Sequence, residues 1–206
     1  AANRVEVFAA SSRGWSPELD ALLPAANKLV LAYQAKYQGG NIGLLTRLPK
    51  LARWLRGIDP DWLHAHYLTS HGTLAYLAKE CWSLRATLIG SAWGSDILVA
   101  PKRSVAYRLL TRRLLRACEL TTSDSAHMAG KMRELGAGEV MTFPFGLEVL
   151  PPPASNKGDW AFFSNRALEP LYRLDQVLAV FARVAAARPE ARLTVAHTGS
   201  LEAELQ

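Results

Sequence analysis

Two histidines two residues apart, His64 and His66 in Asp61-Trp62-Leu63-His64-Ala65-His66, have the spacing that points both side chains the same way from a β-strand. His71 comes next, in the loop or first helical turn. A metal site needs three or four converging ligands, and no Cys, Glu or Asp set at ligand spacing accompanies these imidazoles. The expectation is no metal, with one histidine packed and His66, last on the strand, placed to touch a substrate hydroxyl. A second segment, Ser91-Ala92-Trp93-Gly94-Ser95-Asp96, puts an aromatic ring, a flexible glycine and a carboxylate after another strand. There Asp96 can accept hydrogen bonds from sugar hydroxyls, hold the loop, or cap the following turn. No second carboxylate lies nearby to make a glycosidase pair.

Arginines supply a third kind of chemistry. Ser164-Asn165-Arg166 closes a later strand and Tyr172-Arg173 precedes its helix. Two guanidinium groups near a strand end and a helix N-terminus suit a diphosphate, although solvated surface arginines would read the same way. Neither a GxGxxG nor a Walker loop is present, so phosphate recognition would rest on arginines and helix ends. In Phe143-Pro144-Phe145-Gly146-Leu147-Glu148, Gly146 permits close backbone approach or a positive φ, or simply an ordinary turn.

These residues need elements to position them. Arg4 to Ala9 alternates as a strand running into the loop Ser11–Gly14, and Lys28 to Tyr33 is a second short strand. Apolar residues from Ile42 to Ile58 have helical spacing, with Pro49 near the helix start and Gly57 then Pro60 at its stop. Trp62–His66 is a buried-type strand, followed by a helix through Tyr76 to Glu80, and Ala86–Gly90 is the next strand. A basic amphipathic helix spans about Ser104 to Ala117, and Glu119–Thr122 returns to the sheet. Ser123-Asp124-Ser125 offers an N-cap for a helix ending near Leu135-Gly136. Val140–Pro144 is the last strand before a proline-stiffened linker at 150–158. The pattern then restarts with a strand (Trp160–Ser164), a helix (Asp175–Ala187) and a strand (Arg192–Ala196). Such alternation predicts a doubly wound parallel sheet over 1–149 and the opening βαβ of a second α/β domain over 159–206. Loops after His66, Gly90, Thr122 and Phe145 would open on one edge, where such sheets bind ligands.

The 206 residues are half apolar and one-fifth charged, which excludes disorder as a general description. Apolar runs are interrupted well before roughly 18 residues, so no membrane-spanning helix is expected, and no signal peptide is visible. Cys81 and Cys118 stand in unrelated contexts and fit a reducing cytoplasm. The net charge of +6 favours an anionic partner. Arg103, Arg108, Arg112, Arg113 and Arg116 on one helix, and Arg47, Lys50, Arg53 and Arg56 around Trp54 on another, suit an anionic membrane surface or an ordinary solvated face. Nucleic acid is not expected, because basic and aromatic residues are not interleaved in any recognition motif.

In this order and spacing, the segments resemble the retaining glycosyltransferases of family 4, which have the GT-B fold, over nearly the whole chain. Arg4 to Val7 looks like the family's "H-E-V" strand, Asp61 to His66 like "D-x-h-H-x-H", and Ser91 to Asp96 like its "H-G-x-D" loop. Ser123 to Gly136 is similar to its serine-initiated helix, Phe143 to Glu148 to "P-N-G-V-D", and Asn165 to Arg173 to the donor-phosphate segment "G-R-L-x-x-x-K-G". The resemblance implies sugar transfer from a nucleoside-diphosphate-sugar to a lipid-linked or saccharide acceptor, with retention and without a cofactor. The cysteines and the two basic helices, read apart from the resemblance, suit a cytoplasmic protein, either free or peripheral to the inner face of the membrane. Asp96 and His66 would be catalytic in an acceptor-side first domain. Arg166 and Arg173 would neutralise the donor diphosphate, and Trp93, Gly94, Ser123, Gly146 and Tyr172 would line the cleft. Trp93 stands where the family commonly has His, and Arg173 replaces a lysine missing from its register. By the same resemblance a first strand with a glycine-rich loop would precede Ala1, and a glutamate-pair segment would come after Gln206. The fragment alone would then be inactive. The alternative is a non-catalytic nucleotide-binding or regulatory module of the same fold.

Overall fold

The computed structural model describes residues 5–34, 42–144, 146, 149–150, 152–153, 157–196 and 198–205. Arg4, Phe145, Leu147 and Glu148, together with 151 and 154–156 of the expected linker, lie outside the described residues. The chain divides into two compact units, Ala1–Gly146 and Leu147–Gln206.

In the first unit the chain runs β1 (Ala9–Ser11), α1 (Pro17–Leu22), β2 (Lys28–Val30), α2 (Leu48–Ile58), β3 (Trp62–His66), α3 (Thr73–Trp82) and β4 (Thr87–Ser91). It continues through the short helices α4 (Ser95–Leu98) and α5 (Ala100–Arg103) to α6 (Val105–Ala117), β5 (Leu120–Ser123), α7 (Ala126–Glu134) and β6 (Glu139–Thr142). All pairings are parallel: β1 with β2, and β3-β4-β5-β6 in that order. The alternation from Val5 does not make a strand before Ala9. Pairing starts at Ala9 against Lys28, and Val5 and Val7 remain exposed, so their apolar side chains find no sheet to join.

Sequence signals set the helix boundaries. Pro49 occupies the first turn of α2, where a missing N–H costs nothing. The helix runs through Gly57 and stops at Asp59, which takes the left-handed conformation (φ 42°) and donates its N–H to the Leu55 carbonyl. Pro60 blocks further winding, since a residue before proline avoids the helical region. Ser104 caps α6 by accepting from the Tyr107 N–H, and Ser125 caps α7 by accepting from the Met128 N–H.

Helices pack on one face of the four-stranded sheet. Ala65, Leu88 and Val140 from the strands meet Leu114 and Leu115 of α6 and Met128 and Met132 of α7 in one core. A second core joins Leu51, Ala52 and Leu55 of α2 to Leu74 and Ala78 of α3 and to Leu31. The opposite face carries Trp62, His64, His66, Ile89, Leu120, Thr122 and Met141, half-buried or exposed. Trp62–His66 is therefore not a buried-type strand: it lies at the end of the sheet order and only Ala65 is buried.

The second unit holds β7 (Ala161–Ser164), α8 (Leu174–Ala187) and β8 (Arg192–Val195), a βαβ with parallel strands. Phe162 meets Phe181 of α8 edge-on, their ring centroids 6.0 Å apart, and Leu168, Leu174 and Ala191 are buried.

Two glycines have opposite roles in this packing. A Cβ on Gly90 of β4 would lie 2.7 Å from Leu68 Cδ2 and 3.0 Å from Cys118 Sγ, both buried, whereas nothing lies within 4 Å at Gly57. Gly90→Ala is expected to destabilise by about 1–3 kcal/mol through overpacking. Gly57→Ala should stabilise by about 0.5–1 kcal/mol through helix propensity. Urea midpoints of the two variants would check the opposite signs.

Candidate functional site

Because β3–β6 are parallel, their carboxyl ends share one edge, and the loops after β3 and β4 meet there. Directly after His66, Tyr67 adopts a left-handed backbone (φ 69°), a strained conformation for a bulky residue. It opens a π-type turn, Leu68–Gly72, that feeds α3. The Tyr67 N–H donates to the Ser91 carbonyl at 3.0 Å, and its hydroxyl is hydrogen-bonded to the hydroxyl of Ser95.

Asp96 fastens these two loops. Its side chain is fully buried. Oδ2 accepts from the Leu68 N–H at 2.9 Å, and Oδ1 accepts from the Trp93 N–H at 3.0 Å. Burial pushes its carboxyl above the ordinary range, while the amides of Leu68, Trp93, Asp96 and Gly94 oppose that shift. Gly94 carries φ +109° before α4, a conformation that glycine alone adopts without strain.

The imidazoles line the open side. His64 and His66 stack with centroids 4.3 Å apart, and the His66 and Trp93 rings are 6.0 Å apart. His64 Nε2 is 2.7 Å from Ser91 Oγ, which is 2.7 Å from Thr122 Oγ1, giving a polar chain across three strands. His71 Nδ1 contacts Ser70 Oγ at 3.2 Å. Burial lowers the pKa of all three histidines, and the charge of His66 lowers His64 and His71 further. Neutral rings are therefore the resting state above pH 6.5, able to accept or donate one hydrogen bond each. Among the described residues no group of three His, Cys, Asp or Glu is arranged to hold a metal ion.

A family model described as glycosyl transferase 4-like matches residues 5–125, more than half of the chain and all of this edge from His64 to Thr122. The chain belongs to the glycosyl transferase 4-like family. No curated protein matches it. Among solved structures, the crystal structure of a mutant of S. aureus TarM in complex with fondaparinux, α-GlcNAc-glycerol and UDP is similar, with a TM-score of 0.60 and 9% identity. That match covers 77% of this chain and 33% of the TarM chain, so the chain spans a third of its length. At this identity the likeness concerns the fold: a Rossmann-like parallel α/β fold matching the GT-B architecture.

Within this 4-like domain the expected residues divide. His66 and Trp93 come together at the exposed rim, with Trp93 47% exposed. Asp96 does not face them as an open carboxylate, because the interior takes the whole side chain and backbone amides occupy its oxygens. Ser123 is buried too. Its Oγ donates to the Ser125 carbonyl at 2.8 Å, shaping the turn into α7 rather than a cleft wall. Gly146 is exposed, and nothing described lies within 4 Å of its missing Cβ.

In the second unit Arg166 lies over the Tyr172 ring, with its guanidinium carbon 4.2 Å from the centroid. Arg173 is at φ 50° between a 3₁₀ turn (Pro170–Tyr172) and α8, and its guanidinium makes a two-pronged pair with Asp175 at 3.0 and 2.8 Å. It is therefore engaged rather than free, because Asp175 two residues on meets its fork.

Sequence reasoning missed Tyr67, Ser95 and the Ser91–Thr122 relay. Ser91 and Thr122 had a visible signal, being polar residues at the ends of adjacent strands. Tyr67 had none, since nothing in a tyrosine announces a positive φ.

Two outcomes are expected. Asp96→Asn leaves one of the Leu68 or Trp93 amides facing a donor, and should cost about 1–3 kcal/mol in denaturant unfolding. The lowered histidine pKa values fix the sign of a pH effect: the native state holds fewer protons, so stability present above pH 6.5 is lost as pH falls through the folded values. Unfolding midpoints at about pH 7.5 and 5.0 should differ in that direction, and His66→Gln should flatten the difference.

Proposed function

We propose that the full-length protein transfers a sugar from a nucleoside-diphosphate-sugar to a lipid-linked or saccharide acceptor with retention at the anomeric carbon. The observation that carries this reading is the family match over residues 5–125, which contains the neutral rim of His66 and Trp93. An aromatic face beside an uncharged imidazole suits a sugar, whose apolar ring face and hydroxyls need a flat surface and single hydrogen bonds. TarM, which shares the fold, was crystallised with UDP and saccharide ligands. Asp96 acts here as a positioning residue, holding the Trp93 and Leu68 amides, and His66 makes the substrate contact.

Arg166 and Arg173 take the donor diphosphate, stabilising charge that develops on the leaving group without a resident cofactor or metal. Arg166 is already set on Tyr172. Arg173 exchanges Asp175 for phosphate, a feasible exchange because exposed ion pairs are weak in water. Among the described residues no helix is long and apolar enough to cross a membrane. In this scheme the enzyme works on the cytoplasmic side, with Arg108, Arg112 and Arg113 of α6 meeting an anionic membrane surface.

The test is thermal stabilisation of the full-length protein by UDP-, GDP-, ADP- and TDP-sugars, since a ligand that binds only the native state raises its stability. Stabilisation by one of them, then transfer of its radiolabelled sugar, is the expected result. No response from the folded protein would favour a non-catalytic module of this fold. Removing both charges with Arg166→Ala and Arg173→Ala should weaken nucleotide binding by about tenfold or more; unchanged affinity would remove these arginines from the donor site.

A further inference from the structure

A cleft of about 270 Å³, lined by Pro49, Arg53, Arg56 and Trp82, opens on the outer side of α2 and the end of α3. It shares no residue with the edge that carries His66. Trp82 is also the far end of α3, the helix that starts after the π-type turn at that edge.

Among the described residues, the two arginines of this cleft have no acidic partner. Helix α2 carries Lys50, Arg53 and Arg56 and no acidic residue. Lys50 Nζ is spent on the Val30 carbonyl at 2.7 Å. The ion pairs among the described residues are Lys28–Asp20, Arg85–Asp59, Lys131–Glu134 and Arg173–Asp175, so neither Arg53 nor Arg56 has an acidic partner there. Three residues apart on a helix, their side chains rise from one face, and like charges so placed repel. An anion held between them removes that repulsion.

Trp82 and Pro49 line the same cleft as the two arginines. Trp82 packs against the α2–α3 core and is half-buried, while Pro49 is exposed on the first turn of α2. Guanidinium forks match the oxygens of a phosphate two at a time, and an indole with a proline ring can hold the carbon skeleton of its ester. We propose that this cleft is a second ligand site, specific for a phosphate ester with a small organic group, such as glycerol phosphate either free or as a lipid headgroup.

The experiment compares the full chain with R53Q/R56Q, R53K/R56K and K157Q/R183Q. All four positions are exposed, and unchanged thermal midpoints confirm folding of each variant. Binding is measured to sn-glycerol 1-phosphate by calorimetry and to vesicles of phosphatidylcholine with or without phosphatidylglycerol by co-sedimentation. The full chain should bind one probe, and R53Q/R56Q should lose about tenfold or more of that affinity. R53K/R56K, which keeps the charge but not the forks, should lose several-fold, and K157Q/R183Q should stay within about twofold. Binding to the soluble ester assigns a metabolite, and binding only to phosphatidylglycerol vesicles that R53Q/R56Q loses assigns a headgroup. Vesicle binding that R53Q/R56Q keeps belongs to another basic face such as α6 and overturns the site. An equal loss in K157Q/R183Q would mean diffuse charge attraction and overturn the site, as would failure to bind either probe.

Discussion

One buried carboxylate connects the loops on which the rim depends. A parallel sheet brings the ends of β3 and β4 side by side, but it leaves the loops beyond those ends undetermined. Asp96 determines them by accepting from backbone amides on both sides, Leu68 after β3 and Trp93 after β4. Taking a carboxylate out of water is costly unless its oxygens are satisfied, and here backbone N–H groups satisfy them. The geometry is thereby over-determined. Tyr67 can hold its unfavourable φ because Leu68 beyond it is anchored in the core and bonded to Asp96. Trp93 can stand beside His66 because its backbone is held while its ring is left at the surface.

Much of the fold was legible because its signals are local. The two-residue spacing of His64 and His66, the proline in the first turn of α2, and the serines before α6 and α7 each act through neighbours in the chain. The misplaced features depend on distant partners. The alternation from Val5 to Val7 looks like a strand, yet a strand exists only where another pairs with it, and pairing starts at Ala9. Trp62–His66 reads as apolar enough for burial, but its position in the sheet order decides its exposure.

The candidate site was legible to the same depth. Residue types located the edge, and the structure brings His66 and Trp93 together on it. The role of Asp96 was not readable, because an aspartate three residues after an aromatic can point either way. Its burial depends on Leu68, which is 28 positions away in sequence. The pairing of Arg173 with Asp175 is local and could have been anticipated from an Arg-x-Asp spacing at a helix start, where the carboxylate also favours the helix dipole.

Charge is distributed in a way that separates tasks. Around His66 stand imidazoles, hydroxyls, an indole and one buried carboxylate. A cationic rim there would hold its histidines neutral by repulsion but would also draw anions into a place suited to uncharged hydroxyls. Burial achieves the same neutrality without that side effect. Within the first unit, Arg53 and Arg56 of α2 line a cleft that shares no residue with the rim, and within the second unit Arg166 lies on Tyr172. Net charge alone therefore does not locate the rim, which rests on the loops after β3 and β4 that Asp96 joins.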